Sequence, residues 1–313
     1  MTVAITHTAL GDPDVLTLTE VDLPPLGPLD VAVRIEAAGV NPVDGKLRSG
    51  ARVSPPITAP RHVGNDGAGV VTAVGTGVTG FRPGDAVVIT GAQGTYASAV
   101  VVAQSALFPR PPQVSAAQGA ALGIPIGTAY QTLRSLAVGP DDTVLVHAGS
   151  GAVGQAVVQF AVLAGATVIA TTSRARADRV RQLGGAPIDY APGIADRVRE
   201  AAPQGVTVAI DLAGTDEALQ SSLDLVADRS RIATLVRGAD AAALGIQAFR
   251  GGSPAPLTER EEAWRLESIP VALALMAAGA FSVELGPELP LADAAEAHRL
   301  LESGTHGKIV LIP

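Results

Sequence analysis

The sequence predicts an α/β protein in two parts, a small β barrel or sandwich and an open parallel sheet covered by helices. Three observations point there. Short runs in the first hundred residues alternate apolar and polar positions, with Gly and Pro between them. From Asp142 onward, strand-like runs alternate with helical patterns. A glycine-rich turn, Gly149-Ser150-Gly151-Ala152-Val153-Gly154, stands between a strand and a helix. The length of 313 residues exceeds the usual single-domain size of roughly 100–200, which fits two domains.

Residues 31–36 alternate as a half-buried strand, residues 69–75 form another, and Pro83-Gly84-Asp85 is a turn before the strand 86–89. Pro109-Arg110-Pro111-Pro112 reads as a linker, and Ser115 with Gln118 forms a capping box that starts a helix. Strands are expected at 144–147, 166–170, 207–211 and 231–236, with helices at 152–164, 175–183 and 216–227. Helix 152–164 is apolar nearly all round apart from Gln155 and Gln159, so burial is expected. The character shifts again at Arg250-Gly251-Gly252-Ser253-Pro254. Thr258 with Glu261 then opens a helical stretch to about residue 279, with a kink or break at Pro270. A short amphipathic helix at 293–302 stops at Gly304, and 309–312 is a strand.

Composition excludes several classes. Hydrophobic residues at 47% against 17% charged rule out a disordered chain. The absence of cysteine removes disulfides, thiol nucleophiles and every zinc site built on Cys. A net charge of −8 leaves no global basic footprint for nucleic acid or anionic lipid. Met1-Thr2-Val3-Ala4 does not open a signal peptide, so the cytoplasm is the expected compartment. Residues 143–173 carry no charge and are long enough for a membrane span. The glycine cluster with Gln155, Gln159, Thr167, Thr171 and Thr172 instead reads as a buried strand–helix–strand unit.

The glycine turn is a dinucleotide fingerprint. Glycines allow a tight turn and a close backbone approach to a pyrophosphate, and free N–H groups at the helix start bind its charge. The other reading is a glycine-rich turn of some different α/β protein. An acidic residue about 20 positions on would hold the ribose 2′-hydroxyl of NAD. Here the second strand ends in Thr171-Thr172-Ser173-Arg174-Ala175-Arg176, a hydroxyl and two arginines suited to a 2′-phosphate. NADP(H) is therefore expected over NAD(H), unless the arginines only solvate a helix face.

The chain resembles the zinc-independent quinone oxidoreductases of the medium-chain dehydrogenase/reductase superfamily. The resemblance rests on Asn41-Pro42-Val43-Asp44 with Arg48-Ser49-Gly50, on Gly64-Asn65-Asp66-Gly67-Ala68-Gly69, and on Phe81-Arg82-Pro83-Gly84-Asp85. Gly127-Thr128-Ala129-Tyr130, His147-Ala148 with the glycine turn, and Gly307-Lys308-Ile309-Val310-Leu311 complete it. It implies a GroES-like β-barrel domain built from both chain ends, 1–118 and 258–313. Between them lies a Rossmann domain, 119–257, with NADPH in the cleft between the domains. It also implies a homodimer or tetramer, a homodimer being expected here, paired through about residues 245–249.

Zinc alcohol dehydrogenases of that superfamily use Cys and a Gly-His-Glu motif. The comparable stretch here is Gly64-Asn65-Asp66, and the five histidines show no metal spacing, so no metal is expected. Without zinc as a Lewis acid, reduction of an enone or quinone fits better than alcohol oxidation.

The resemblance places Asn41 at the nicotinamide end, able to hydrogen-bond the substrate oxygen; the alternative is a turn residue before Pro42. Lys46 stands where family members commonly carry Tyr. Buried, it would serve as acid or oxyanion partner; solvated, it would sit at the cleft mouth. Thr128, Tyr190, Leu235, Val236, Phe249 and Gly251 are implied cofactor contacts, beside Gly149 to Gly154, Ser173 and Arg174. The expected function is NADPH-dependent hydride transfer to a quinone or α,β-unsaturated carbonyl. Aromatics at 3% weaken the quinone option, because flat quinones favour aromatic walls. A dedicated biosynthetic enoyl reductase and a non-catalytic NADPH-binding sensor or structural protein are the alternatives.

Overall fold

The computed structural model describes residues 2–249 and 256–313. Contacts divide the chain into two compact units, Met1–Ile124 with Ile269–Pro313, and Pro125–Ser268. The junctions expected after residues 118 and 257 stand earlier in the chain than these.

The first unit begins with β1 (Thr2–His7), β2 (Thr17–Val21), β3 (Asp30–Gly39), β4 (Arg61–His62), β5 (Asp66–Val74), β6 (Ala86–Ile89), β7 (Ala99–Ala103) and β8 (Leu107–Pro109). Helices α1 (Pro42–Ser49) and α2 (Ala116–Ala120) accompany them. β1 lies between β2 and β4, and β3 is gripped by β5 and β7 in antiparallel register. The alternation read in 31–36 is real: Val31, Val33 and Ile35 are buried while Arg34 is exposed. One face of each strand therefore enters a shared core with Ile5, Ile89 and Tyr96.

The second unit starts within α3 (Gly123–Ser135). Then follow β9 (Thr143–Val146), α4 (Ala152–Leu163), β10 (Thr167–Thr172), α5 (Ala177–Gln182), β11 (Ala186–Asp189) and α6 (Ile194–Ala201). The series ends with β12 (Val208–Asp211), α7 (Asp216–Leu225), β13 (Ile232–Thr234), α8 (Gly238–Leu244) and β14 (Gln247–Ala248). All six strands are parallel, in the order β11-β10-β9-β12-β13-β14. The order reverses between β9 and β12, which is where open sheets of this kind receive ligands. The charge-free stretch is β9, α4 and β10, all within this sheet and its cover. No helix among the described residues is long and apolar enough to cross a membrane. Gln155 and Gln159 are buried as expected, and Gln159 Nε2 donates to the Gln155 carbonyl at 3.1 Å.

α9 (Glu259–Ala277) contains Pro270 as one continuous element, so of the kink or break expected there the break does not occur. The chain re-enters the first unit at Ile269, within α9, and continues there as β15 (Leu285–Pro290), α10 (Ala294–Glu302) and β16 (Lys308–Ile312). β16 pairs with β3, so residues from both ends of the chain share one sheet and one core, Ile309 and Leu311 included.

Candidate functional site

The second unit gathers polar groups along the carboxyl edge of its sheet. β9 is followed by His147 and the glycine turn, whose tightness has a specific cause. A Cβ on Gly149 would stand 2.5 Å from the Ala170 Cβ, and one on Gly154 would stand 2.3 Å from the Ala148 carbonyl oxygen. Both positions exclude any side chain. Gly151 is exposed, and an added Cβ there would make only an ordinary contact, 3.5 Å from the Ala148 carbonyl oxygen, so this position is open to a side chain or a ligand. Gly151 caps α4, and the first N–H groups of a helix have no intrahelical acceptor. The turn is thus drawn tightly onto β10 while its open side presents Ala152, Val153 and helix-start donors. Ala148, at φ 57°, takes the left-handed conformation that the turn demands.

The ends of neighbouring strands complete this edge. Thr172 Oγ1 donates to Ser150 Oγ at 2.8 Å, tying β10 to the turn. Ser173 follows β10, and exposed Arg174 donates through Nε to Asp189 at 2.7 Å. Tyr190, after β11, is 60% exposed, so its ring is available to a ligand. Asp211 accepts from Ala213 N, Gly214 N and Thr234 Oγ1, which fixes the ends of β12 and β13. Beyond β13, Leu235 is buried and Val236 exposed; beyond β14, Phe249 is buried. Thr128, on α3, accepts from Arg265 Nη1 at 3.1 Å. Gly251 lies outside the described residues. His147 is buried with Nε2 3.1 Å from Ser222 Oγ, and burial lowers its pKa to about 4, so it is neutral at pH 7.

The first unit holds a different kind of arrangement. Asn41 is buried, and its Nδ2 donates to Asp66 Oδ2 at 2.8 Å and to the Gly39 carbonyl at 3.3 Å. Its Oδ1 accepts from the Lys308 ammonium. Both amide hydrogens thus have protein acceptors, whereas the expectation had Asn41 hydrogen-bonding a substrate oxygen. Asp66 also accepts from the Ile124 N–H at 2.9 Å. Asp44 closes a capping box with Asn41 and accepts from Asn65 Nδ2 at 2.6 Å and from Tyr96 Oη at 3.0 Å. Burial raises the Asp44 pKa to about 6, against the Asn41 N–H, Lys308 and Asn65, which favour its anion. Burial likewise lowers the pKa of Lys308, against the pull of Asp66 and Asp44.

Lys46 is exposed on α1, so the burial that would make a lysine an acid is absent there. The buried lysine is Lys308 instead. Sequence reasoning did not single out Lys308, Asp66 or Asn65 as candidates, although the structure joins them to Asn41 and Asp44. The available signal was a lone lysine opening an otherwise apolar strand, in a chain with only two lysines.

A cavity of about 340 Å³ opens in the same unit. Asp44, Asn65, Leu47 and Gln93 line it, with His7, Arg48, Arg61 and His62. No aromatic carbocycle lines it. Among the described residues, no group of three or more His, Asp or Glu is placed to hold a metal ion. With no cysteine in the chain, the residues present do not fit a zinc centre.

Comparison with known proteins finds two family matches, the second running across both units. The alcohol dehydrogenase GroES-like domain family matches residues 27–112, and the zinc-binding dehydrogenase family matches residues 183–311. The quinone oxidoreductase of Pseudomonas aeruginosa is 32% identical, covering 99% of both chains. The crystal structure of Pseudomonas syringae quinone oxidoreductase matches at TM-score 0.85 and 31% identity, covering 100% of both chains. That of Escherichia coli quinone oxidoreductase complexed with NADPH matches at 0.85 and 27%, again over 100% of both.

Proposed function

The chain belongs to the quinone oxidoreductase family of the medium-chain dehydrogenase/reductase superfamily, and on that footing we propose that it is an NADPH-dependent reductase of electron-poor carbonyl acceptors. The observation that carries this reading is the glycine turn, closed to side chains at Gly149 and Gly154 and open at Gly151. That cradle fits a pyrophosphate. Ser173, Arg174 and Tyr190 lie beyond the adjacent strands β10 and β11 and take the ribose 2′-phosphate. Asp189 holds Arg174 through Nε, leaving its terminal nitrogens for the phosphate oxygens. Bound NADPH supplies a hydride from nicotinamide C4.

The first unit receives the acceptor. Asn65 lines the cavity and gives one amide hydrogen to Asp44; its second is the donor we assign to the acceptor's carbonyl oxygen. Asn41 acts as a positioning residue, locked by Lys308 and Asp66 beneath α1. No metal enters this scheme, and the oxyanion is stabilised by hydrogen bonds and a proton from solvent. A lining without an aromatic carbocycle favours an α,β-unsaturated ketone over a flat quinone. β14 is an edge strand, and a homodimer through it belongs to the same reading.

The test is a paired titration of NADPH and NADH, followed by oxidation rates with a benzoquinone and an α,β-unsaturated ketone. Tighter NADPH binding with turnover, faster on the enone, is expected. Binding without turnover on either acceptor leaves the sensor reading in its place. Binding of neither cofactor removes the cradle argument.

A further inference from the structure

We propose that the cavity of the first unit recognises an oxyanion, so that the preferred acceptor carries a carboxylate or phosphate beside its electron-poor carbonyl. This rests on the reading that the first unit receives the acceptor. The cavity lining carries two arginines against one carboxylate, inside a protein of net charge −8. Arg48 and Arg61 both line it, joined by His7, His62, Asn65 and Gln93. Its one carboxylate, Asp44, is already occupied by Asn65, Tyr96 and the Asn41 N–H, so it does not neutralise the arginines by direct pairing.

Arg48 is the more telling of the two. Its side chain is 3% exposed, and among the described residues its one ion pair joins Nη2 to Glu302 at 2.5 Å. Nε and Nη1 are buried and find no acceptor among the described residues. A buried guanidinium with two unmet donors is costly, because each donor has lost water and gained nothing. Glu302 is half exposed, so solvent weakens the single pair that remains. Arg61 is anchored by donation to Ser54 Oγ at 2.8 Å and to the Pro55 carbonyl. These contacts use neutral oxygens and leave its charge uncompensated. Two arginines held in place around one cavity, with no free carboxylate among the lining residues, make a receptor for a carboxylate or phosphate.

The experiment is calorimetric titration of the full chain with 4-oxopentanoate, its methyl ester and inorganic phosphate, repeated on Arg61→Gln. These probes cannot accept a hydride at an activated alkene, so binding is read apart from turnover. We expect the acid to bind at least tenfold tighter than the ester, with that preference falling severalfold in Arg61→Gln. Phosphate binding tighter than the acid also supports an oxyanion site and assigns its source to a phosphoryl group. Equal binding of acid and ester, no binding of either anion, or a preference unchanged in Arg61→Gln overturns the proposal. Arg61 is partly exposed and anchored near the surface, so its variant folds where one at Arg48 would not. NADPH oxidation with a neutral enone, run beside it, judges the reductase reading separately. Turnover without acid preference sinks only the oxyanion site. Acid binding without turnover on any acceptor sinks only the reductase.

Discussion

The first unit buries its charged groups against one another, whereas the second keeps its polar groups at the open edge of a sheet. Asn41, Asp44, Asp66, Tyr96 and Lys308 are all buried, and their hydrogen bonds run among themselves and to nearby backbone. At the sheet edge of the second unit, Arg174 and Tyr190 are exposed, and the glycine turn leaves room at Gly151. Polar groups satisfied inside a unit contribute rigidity and are costly to disturb. Polar groups left at an edge contribute little stability and are free to bind. The same residue type should therefore behave differently in the two settings.

The sharpest way to break this comparison is Lys308→Met. It leaves Asp66 and Asn41 buried without their cation, and removing one partner of a buried charged network costs about 3–5 kcal/mol. Urea denaturation should show that loss; a change under about 1 kcal/mol would mean the network is not what holds the unit.

Acidification probes both units together. His147, in the second unit, and His298, in the first, each have a pKa lowered from 6.5 to about 4 by burial. Each binds fewer protons folded than unfolded in that window, so each contributes stability above pH 6.5 that is lost as pH falls towards 4. Asp44 runs the other way: raised from 3.8 to about 6, it binds more protons folded, and acid relieves its strain. Two histidines outweigh one carboxyl. The denaturation midpoint should drop between pH 6.5 and 4, and His298→Gln should flatten that slope. A midpoint that rises on acidification would mean Asp44 dominates.

Gly154→Ala tests the edge. Its Cβ would meet the Ala148 carbonyl at 2.3 Å, and overpacking of this kind costs about 1–3 kcal/mol. NADPH affinity should fall at least about tenfold by fluorescence titration while the first unit keeps its stability. Loss of affinity without loss of stability belongs to Arg174→Ala. Losing hydrogen bonds to a charged group costs about 1.5–3 kcal/mol, so NADPH binding should weaken roughly tenfold or more with NADH binding unchanged. Equal losses for the two cofactors would remove Arg174 from 2′-phosphate recognition. Lys46→Met should do least. The residue is exposed, so stability should shift by about 0.5 kcal/mol or less and NADPH turnover should hold within about twofold. A large loss of turnover would return Lys46 to the chemistry.

The second unit was the more legible in sequence because its signals are local. A strand, a glycine turn and a helix follow one another within twenty-odd residues, and backbone geometry alone demands glycine at 149 and 154. The alternation at 31–36 and the capping box at Ser115 and Gln118 are local too, and both are found. The network of the first unit joins positions far apart in the chain, Asn41 to Lys308 among them. Nothing in the residues around either lysine distinguishes Lys46 from Lys308, because burial is decided by β16 docking on β3. The short strands β1 and β2 carry no local signal for a related reason: their threonine-rich pairing becomes a pattern only when the two are aligned.

That docking has a consequence for the order in which the protein is made. β16 is translated after the whole of the second unit, whose residues are contiguous and whose sheet needs nothing from either terminus. A nascent chain leaving the ribosome can finish its nucleotide-binding half while the first half still waits for its lysine. Until then Asp44 and Asp66 have no buried cation, and β3 has a bare edge where β16 will lie. The lysine works as a late-arriving latch: a chain stalled before residue 308 would display an unfinished sheet to chaperones and proteases beside a completed neighbour.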